Sequence, residues 1–152
     1  MPRALLLLSM LLLSAPSSAP AGDGVTLTIP VSNLRHVGQG ELVVLLYREV
    51  ARIPFDPSTA FLRTSAKVTG ATLTVTLPAV PPGDYALSLC HDLDGDGELR
   101  TNFLGIPRED VAISNGAKGG PAGGPMWEVA AFAVGSEDQT VTPLSMSHMA
   151  KD

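Results

Sequence analysis

The sequence predicts an all-β fold, an antiparallel β-sandwich of about seven strands with one long irregular loop. Apolar and hydroxyl side chains alternate along residues 25–29 and 71–77, and this period of two is typical of half-buried strands. Further short apolar segments follow at spacings of about 8 to 12 residues, separated by glycine and proline. Helix signals are confined to one segment, so the pattern as a whole favours a sandwich.

Each predicted strand has its own local signal. Residues 41–47 contain a continuous apolar run at 42–46 with two adjacent valines, which favours a central strand. Pro81-Pro82-Gly83 predicts a tight turn directly before the strand at residues 84–90, because proline presets one turn residue and glycine permits the next. The full set of predicted strands is 25–29, 41–47, 65–68, 71–77, 84–90, 129–134 and 140–146.

One segment predicts helical structure, and another predicts the long loop. Asp56 is a capping residue and Pro57 stands at the first helical position, so residues 56–62 are expected to form one or two turns. No second helix is expected. Residues 92–124 form the long irregular loop, and loops of that length are usually functional or held by specific contacts. Its glycine-rich end, residues 116–125, is expected to lie extended at the surface.

The N-terminus is typical of a secretory signal peptide. Arg3 gives a positive start, residues 4–13 are almost wholly apolar, and Ala19-Pro20-Ala21 offers small residues for cleavage. A membrane anchor is the alternative, but the apolar run is well short of the roughly 20 residues that span a bilayer. We therefore expect a secreted or periplasmic protein with no membrane span. The predicted organisation is a signal peptide over residues 1–21, a single β-sandwich domain over residues 22–146 and a C-terminal tail over residues 147–152.

Charge and cysteine content narrow the partners. The chain has 10 basic and 15 acidic residues. Cleavage of the signal peptide would remove only Arg3 from this set, which leaves a net charge of about −6. Phosphate backbones and anionic membranes repel such a chain, so no nucleic-acid binding is expected. The expected partner is an unidentified protein or glycan. Cys90 is the only cysteine, which excludes an internal disulfide, and its strand-like neighbours predict a buried, unreactive thiol.

The most informative motif is the run His91-Asp92-Leu93-Asp94-Gly95-Asp96-Gly97, in which three aspartates alternate and a glycine follows the third. Calcium loops begin with this pattern, because crowded carboxylates repel each other unless water or a hard cation separates them. With Asp92 at position 1, Glu98 falls at position 7, where a backbone carbonyl is the usual ligand. The predicted calcium ligands are Asp92, Asp94, Asp96, Glu98 and Asn102.

The motif departs from a helix-loop-helix calcium site beyond its eighth position. Arg100 occupies position 9, and Phe103 stands where such a site has its bidentate glutamate. The remaining ligands would come from Asn102, from Asp110 or from another strand, so binding is expected to be weak, at about 10⁻⁴ to 10⁻³ M. The alternative is a solvated turn, in which aspartate side chains bond neighbouring amides and Arg100 supplies compensating charge.

No catalytic motif is present in the sequence. H-E-x-x-H, G-x-S-x-G and C-x-x-C are absent, and the three histidines are too scattered for a helical zinc pair. The first hypothesis is therefore a non-enzymatic binding or structural module. The second is a carbohydrate- or peptide-recognition module that uses Trp127 and the glycine-rich loop, although Trp127 also fits a role at the core or its rim. The third, less favoured, is a hydrolase in which Asp92 orients His91 as a general base.

Several motifs in chain order resemble the bacterial exported family called domain of unknown function 2141, over about residues 25–134. They are P-P-G-D-Y-A at residues 81–86, H-D at 91–92, G-D-G at 95–97, T-N-F-L-G-I-P at 101–107, S-N at 114–115 and A-A-F at 130–132. The resemblance implies an immunoglobulin-like or transthyretin-like β-sandwich. It implies no activity, since the family is named for lacking one.

The chain differs from the usual pattern of that family at the loop. Such proteins usually carry asparagine at the positions of Asp94 and Asp96 and an acidic residue at that of Arg100. Asparagine carbonyls also ligate calcium, so the resemblance is compatible with a metal site, whereas Arg100 removes one expected ligand. Residues 111–113 and 127–129 likewise read V-A-I and W-E-V in place of the more usual Y-G-F and F-E-D.

Overall fold

The structure confirms the all-β sandwich that the sequence predicts. A computed structural model of the chain describes residues 24–49, 56–97, 109–118 and 124–148. Two sheets pack face to face, and one large apolar cluster fills the space between them. The strands are β1 (Val25–Ser32), β2 (Glu41–Arg48), β3 (Leu62–Lys67), β4 (Leu73–Val80), β5 (Gly83–Asp92), β6 (Val111–Ile113), β7 (Phe132–Val134), β8 (Gln139–Thr140) and β9 (Leu144–Ser145).

The first sheet is built around β1. β4 pairs with β1 antiparallel along almost its whole length, whereas β8 and then β9 pair with the other edge of β1 in parallel. The sequence predicts one continuous strand over residues 140–146, but only its ends pair in the sheet. Pro143 lies in the gap and has no amide to donate to a ladder, which explains the interruption.

The second sheet has the order β3-β2-β5-β6, with β7 beside the start of β5. All of its pairings are antiparallel. β2 lies between β3 and β5, and every one of its residues except the two ends is buried. The continuous apolar run of β2 therefore does mark a central strand that is covered on both faces.

The core lies between the sheets and follows from the alternation of side chains. Burial alternates residue by residue along β1, so one face of this strand enters the core and the other does not. Leu27 and Ile29 of β1 and Leu87 and Leu89 of β5 are fully buried in this cluster. Each such side chain contributes about 1.5–3 kcal/mol of hydrophobic stabilisation.

Two smaller apolar clusters cover the outer face of the second sheet. One joins Val43, Leu45 and Tyr47 of β2 to Ala60 and Trp127. The other joins Ala86 of β5 to Ala117, Ala130, Ile113 and Trp127. Because Trp127 belongs to both clusters, the segment around it packs onto the outer face of the sheet.

Helical structure in the described residues consists of short turns. Asp56 caps a 3₁₀ turn at Pro57–Thr59 and accepts the Ser58 amide at 2.8 Å, which confirms the predicted cap and gives the shorter of the expected lengths. Three expectations are wrong in this part of the chain. Residues 129–134 do not form one strand, because a helical turn, α1 (Trp127–Ala130), precedes β7. The expectation of no second helix is wrong for the same reason. The loop over residues 92–124 is not wholly irregular, since it contains β6 and a 3₁₀ turn at Ser114–Gly116.

Contacts distant in sequence hold α1 in place. The Ser114 hydroxyl donates to the Ala130 carbonyl at 2.6 Å and accepts the Leu87 amide at 2.9 Å. The Asn115 side-chain amide donates to the Ala131 carbonyl at 2.8 Å. These bonds satisfy carbonyls that a helix end leaves without a partner. A helix of one turn fixed in this way has no periodicity from which it could be predicted.

The two ends of the chain differ in what the structure describes. The predicted signal peptide, residues 1–21, lies outside the described residues. Among the described residues, no helix has the length and apolar content needed to cross a membrane. At the other end, Ser147 and His148 fall in the predicted tail, yet Ser147 forms a bridge with Val111 of β6, while the Met146 amide bonds the Ser32 carbonyl of β1. The C-terminal segment therefore contacts both sheets.

Candidate metal centre

The Asp-rich loop begins where β5 ends. Asp92 is the last residue of this strand and pairs in register with Glu41 of β2. Its side chain lies on the outer face of the second sheet, opposite to the inner face that carries Leu87 and Leu89. Asp92 is only 4 % exposed, which is rare for an aspartate and means that its charge needs specific partners.

Backbone amides of the loop supply those partners. The Asp92 carboxylate accepts the Gly95 amide at 2.7 Å with one oxygen and the Gly97 amide at 2.8 Å with the other. Both glycines have positive φ, 74° and 73°, which glycine adopts without the strain a side chain would bring. The D-x-D-x-D-G spacing therefore curls the chain around the first aspartate.

The curl brings the three aspartates of the motif together. Asp92, Asp94 and Asp96 each place a carboxylate oxygen so that the three oxygens lie within 4.8 Å of one another. Asp94 and Asp96 are exposed, and the Asp94 carboxylate also accepts the Asp96 amide at 3.4 Å. Like charges at such distances repel each other by about 1 kcal/mol per pair in water. Oxygen donors in this arrangement suit a hard divalent cation.

The positions of the two other predicted ligands are not described. Glu98 and Asn102 lie outside the described residues, as does Arg100. Asp110, considered as a further ligand, points elsewhere, because its carboxylate pairs with Arg35 and His148. The structure thus brings together three of the five predicted ligands, Asp92, Asp94 and Asp96.

A basic residue from β3 lies beside the loop. The Arg63 guanidinium donates to the Gly97 carbonyl at 2.9 Å. Arg63 and Ser65 of β3 line a groove together with Asp92 and the glycines that follow it. Sequence reasoning considered only Arg100 as a source of compensating charge, and β3 carries no signal that would place Arg63 here.

Cys90 lies on the same face of β5, two residues before Asp92. The predicted burial is wrong in degree, since the thiol is half-buried. Its Sγ donates to Glu109 Oε2 at 3.1 Å, and Glu109 is 6 % exposed. Burial, the hydrogen bond to Glu109 and the nearby negative charges together raise the pKa of the Cys90 thiol well above its ordinary value. The reactive thiolate is therefore strongly disfavoured, in line with the predicted unreactive role.

His91 occupies the opposite face and is fully buried. Its Nε2 lies 2.9 Å from the Gln39 carbonyl oxygen, and its backbone amide donates to the Asp110 carbonyl. Since neighbouring residues of a strand point to opposite faces, His91 and Asp92 do not form the pair that a hydrolase mechanism would need. A general base must also reach its substrate, which a fully buried ring does not.

Sequence reasoning considered Asp110 only as a calcium ligand and missed that it is buried together with its charge partners. Asp110 is 6 % exposed. One carboxylate oxygen accepts a hydrogen bond from Arg35 Nη2 at 2.8 Å, and the other lies 2.9 Å from His148 Nδ1. Burial alone would raise the pKa of Asp110, but the hydrogen bonds and positive charges of Arg35 and His148 lower it overall. The three residues are far apart in the chain, so no local motif announces them.

Trp127 is partly buried by the outer-face clusters described above. This position agrees with the role at the core or its rim. Residues 119–123, which are half of the glycine-rich segment that would complete a recognition platform, lie outside the described residues. The recognition hypothesis stays a prediction.

Comparison with known proteins identifies a family. A model of the family described as "uncharacterized protein conserved in bacteria" (DUF2141) matches residues 29–142, well over half of the chain. The match confirms the resemblance carried by the sequence motifs. No curated protein matches the chain, and no solved structure matches it.

Proposed function

We propose that this chain, which belongs to the DUF2141 family of bacterial proteins, is an exported, non-enzymatic binding or structural module with a weak calcium site in its Asp-rich loop. The observation that carries the proposal is the meeting of three carboxylate oxygens from Asp92, Asp94 and Asp96 within 4.8 Å. Calcium takes oxygen ligands from carboxylates, backbone carbonyls and water, and all three kinds are accessible at an exposed loop.

The hydrogen bonding of Asp92 supports this function. Each carboxylate oxygen of Asp92 accepts one amide from the loop and keeps a further lone pair for a cation. The amides fix the direction of the carboxylate before any ion arrives, which lowers the entropy cost of binding. Three carboxylates do not complete the coordination of calcium, so further oxygens must come from the chain or from water. The expected dissociation constant is therefore that of a weak extracellular site, about 10⁻⁴ to 10⁻³ M.

The position of the loop suggests what calcium would do. The loop joins β5 to the segment that leads to β6, and its ordering would fix the rim of the groove lined by Glu41, Arg63 and Ser65. An extracellular or periplasmic partner, protein or glycan, would meet this groove from the open side. The calcium site would therefore act by holding the groove in the shape that binds the partner.

Calcium titration of the full chain tests the proposal. At a calcium concentration of about ten times the dissociation constant, binding adds about 1.4 kcal/mol to the free energy of unfolding. For a domain of this size we expect the melting temperature to rise by about 3–6 °C relative to a chelator control. Isothermal calorimetry should show saturable heat under the same conditions.

A paired set of variants separates specific binding from general charge effects. The double substitution Asp94→Ala and Asp96→Ala removes both side-chain oxygens, so it should weaken calcium binding strongly while leaving the Asp92 turn, which is held by the Gly95 and Gly97 amides, intact. The double substitution Glu128→Gln and Glu137→Gln removes the same charge from exposed positions elsewhere and should leave calcium binding unchanged. Equal loss in both variants, or no heat and no melting shift in the parent chain, would rule out the calcium site.

Export has its own measurement. Cell fractionation followed by intact-mass analysis should find the chain outside the cytoplasm and without residues 1–21. A cytoplasmic chain of full mass would contradict export without bearing on the calcium site.

A further inference from the structure

Two histidines that are distant in sequence meet at one end of the sandwich. The rings of His36 and His91 lie edge to face, with centroids 6.1 Å apart. His91 is fully buried on the inner face of β5, whereas His36 is half-buried. The pair therefore joins an interior imidazole to one that solvent can reach.

Hydrogen bonding leaves one nitrogen of His91 without a partner. Its Nε2 lies 2.9 Å from the Gln39 carbonyl oxygen, which can only accept, so Nε2 carries the hydrogen. In the neutral ring, Nδ1 then carries a lone pair. This Nδ1 is buried and finds no hydrogen-bond partner among the residues that the structure describes. Buried polar atoms are nearly always paired, so this nitrogen calls for a ligand.

A single turn supplies both the second ring and the carbonyl that fixes the first. The Gln39 amide donates to the His36 carbonyl, and the Gly38 amide donates to the Val68 carbonyl, which anchors the turn to the sandwich. Gly40 brings the turn close to β5, since a Cβ at this position would collide with the Asp92 carbonyl. Histidines that bind metals commonly donate their other N–H to a backbone carbonyl in this way.

We propose that His91 Nδ1 and the imidazole of His36 bind a divalent d-block cation of the zinc class. Imidazole nitrogen suits zinc, copper and nickel, whereas the Asp-rich loop offers only the oxygens that calcium prefers. His36 gives the cation access from solvent, and water would complete its coordination. The neighbouring Arg35 is paired with Asp110, so its positive charge is balanced. The site lies on the inner face of β5 and is separate from the calcium loop on the outer face.

The small number of histidines makes a direct test possible. The full chain contains three histidines, so when it is produced without a histidine tag its imidazole NMR spectrum has three spin systems. Zinc is titrated in the presence of saturating calcium, which occupies the Asp-rich loop. We expect one equivalent of zinc to bind, with shifts in the signals of His36 and His91 and none in those of His148.

The substitution is made at His36, because its ring is only half-buried. His36→Asn should weaken zinc binding tenfold or more by calorimetry, whereas His148→Asn should leave it unchanged. His91 is unsuited to this comparison, because it is fully buried. The proposal is overturned by the absence of zinc binding, by a response of His36 without His91, or by equal losses in the two variants. None of these outcomes depends on whether the loop binds calcium.

Discussion

Asp92 and Asp110 are two buried aspartates on neighbouring segments of the second sheet, and their charges are balanced in different ways. Asp110 is 6 % exposed and is paired with two basic side chains, Arg35 and His148. Asp92 is 4 % exposed and is held by two backbone amides, beside two further carboxylates. An amide stabilises a carboxylate without neutralising it. The comparison shows that the buried charge of Asp110 is balanced by side chains of the fold, whereas at Asp92 the proposed calcium ion would supply the positive charge.

The largest effect is expected at Asp110. Asp110→Ala leaves Arg35 and His148 without their carboxylate, and breaking a buried ion pair usually costs about 3–5 kcal/mol. Because the Arg35 side chain is 37 % exposed and can turn to water, we expect a loss of about 2–3 kcal/mol. Urea unfolding of the variant and the parent in calcium-free buffer measures this loss of stability.

The double variant Asp110→Ala and Arg35→Ala provides the control. If the pairing is the cause, the double variant should lose less than the sum of the two single variants. An Asp110→Ala chain as stable as the parent would show that the ion pair contributes nothing to the free energy of unfolding. The proposed difference between Asp110 and Asp92 would then be wrong.

Asp92→Ala should show a smaller loss of stability and a complete loss of the calcium response. It leaves the Gly95 and Gly97 amides without their acceptor, at about 1 kcal/mol each. We therefore expect a loss of about 2 kcal/mol without calcium, and a melting temperature that calcium no longer raises. In contrast, Asp110→Ala should keep its full calcium response. A calcium response that survives in Asp92→Ala would mean that the ion, if bound, lies elsewhere.

The pH dependence of stability isolates the charge of Asp110. Its pKa is lowered in the folded state, so between the folded and unfolded pKa the unfolded chain binds more protons, and stability rises with pH. The advantage of the parent over Asp110→Asn should be fully present above the unfolded pKa of about 3.9 and should shrink as pH falls through the folded pKa.

Urea unfolding at about pH 5 and about pH 2.5 measures this advantage, with both chains in calcium-free buffer. Both chains contain the same Asp-rich loop, so its contribution to stability cancels in the difference. A difference that is the same at both pH values would place the stabilisation in packing, with no part for the charge of Asp110.

The two aspartates also differ in how far the sequence reveals them. Asp92, Asp94 and Asp96 belong to one turn, and their geometry follows from local spacing and from the glycines at positive φ. Asp110 and Arg35 are 75 residues apart, and only the folded sheets bring them together. The pairing of Cys90 with Glu109 and that of His36 with His91 are long-range in the same sense.

The same distinction explains the success and failure of the fold prediction. β1 and β2 were predictable because burial on one or both faces leaves a direct mark on their side chains. α1 depends on bonds from Ser114 and Asn115 to its carbonyls, and two-residue strands such as β8 depend on their neighbour β1. Elements fixed by distant partners carry no pattern of their own.

The smallest expected effect concerns Arg63, whose guanidinium donates to the Gly97 carbonyl. If its positive charge partly offsets the aspartates, then Arg63→Gln should tighten calcium binding about twofold, which corresponds to the roughly 0.5 kcal/mol of an exposed charge interaction. The gain should shrink at high salt, because ions screen exposed charges. Calorimetry at low and high ionic strength measures both. A loss of affinity would instead mean that Arg63 holds the Gly97 carbonyl in place for the ion, so that the loop depends on β3 for its geometry and not only on its own glycines.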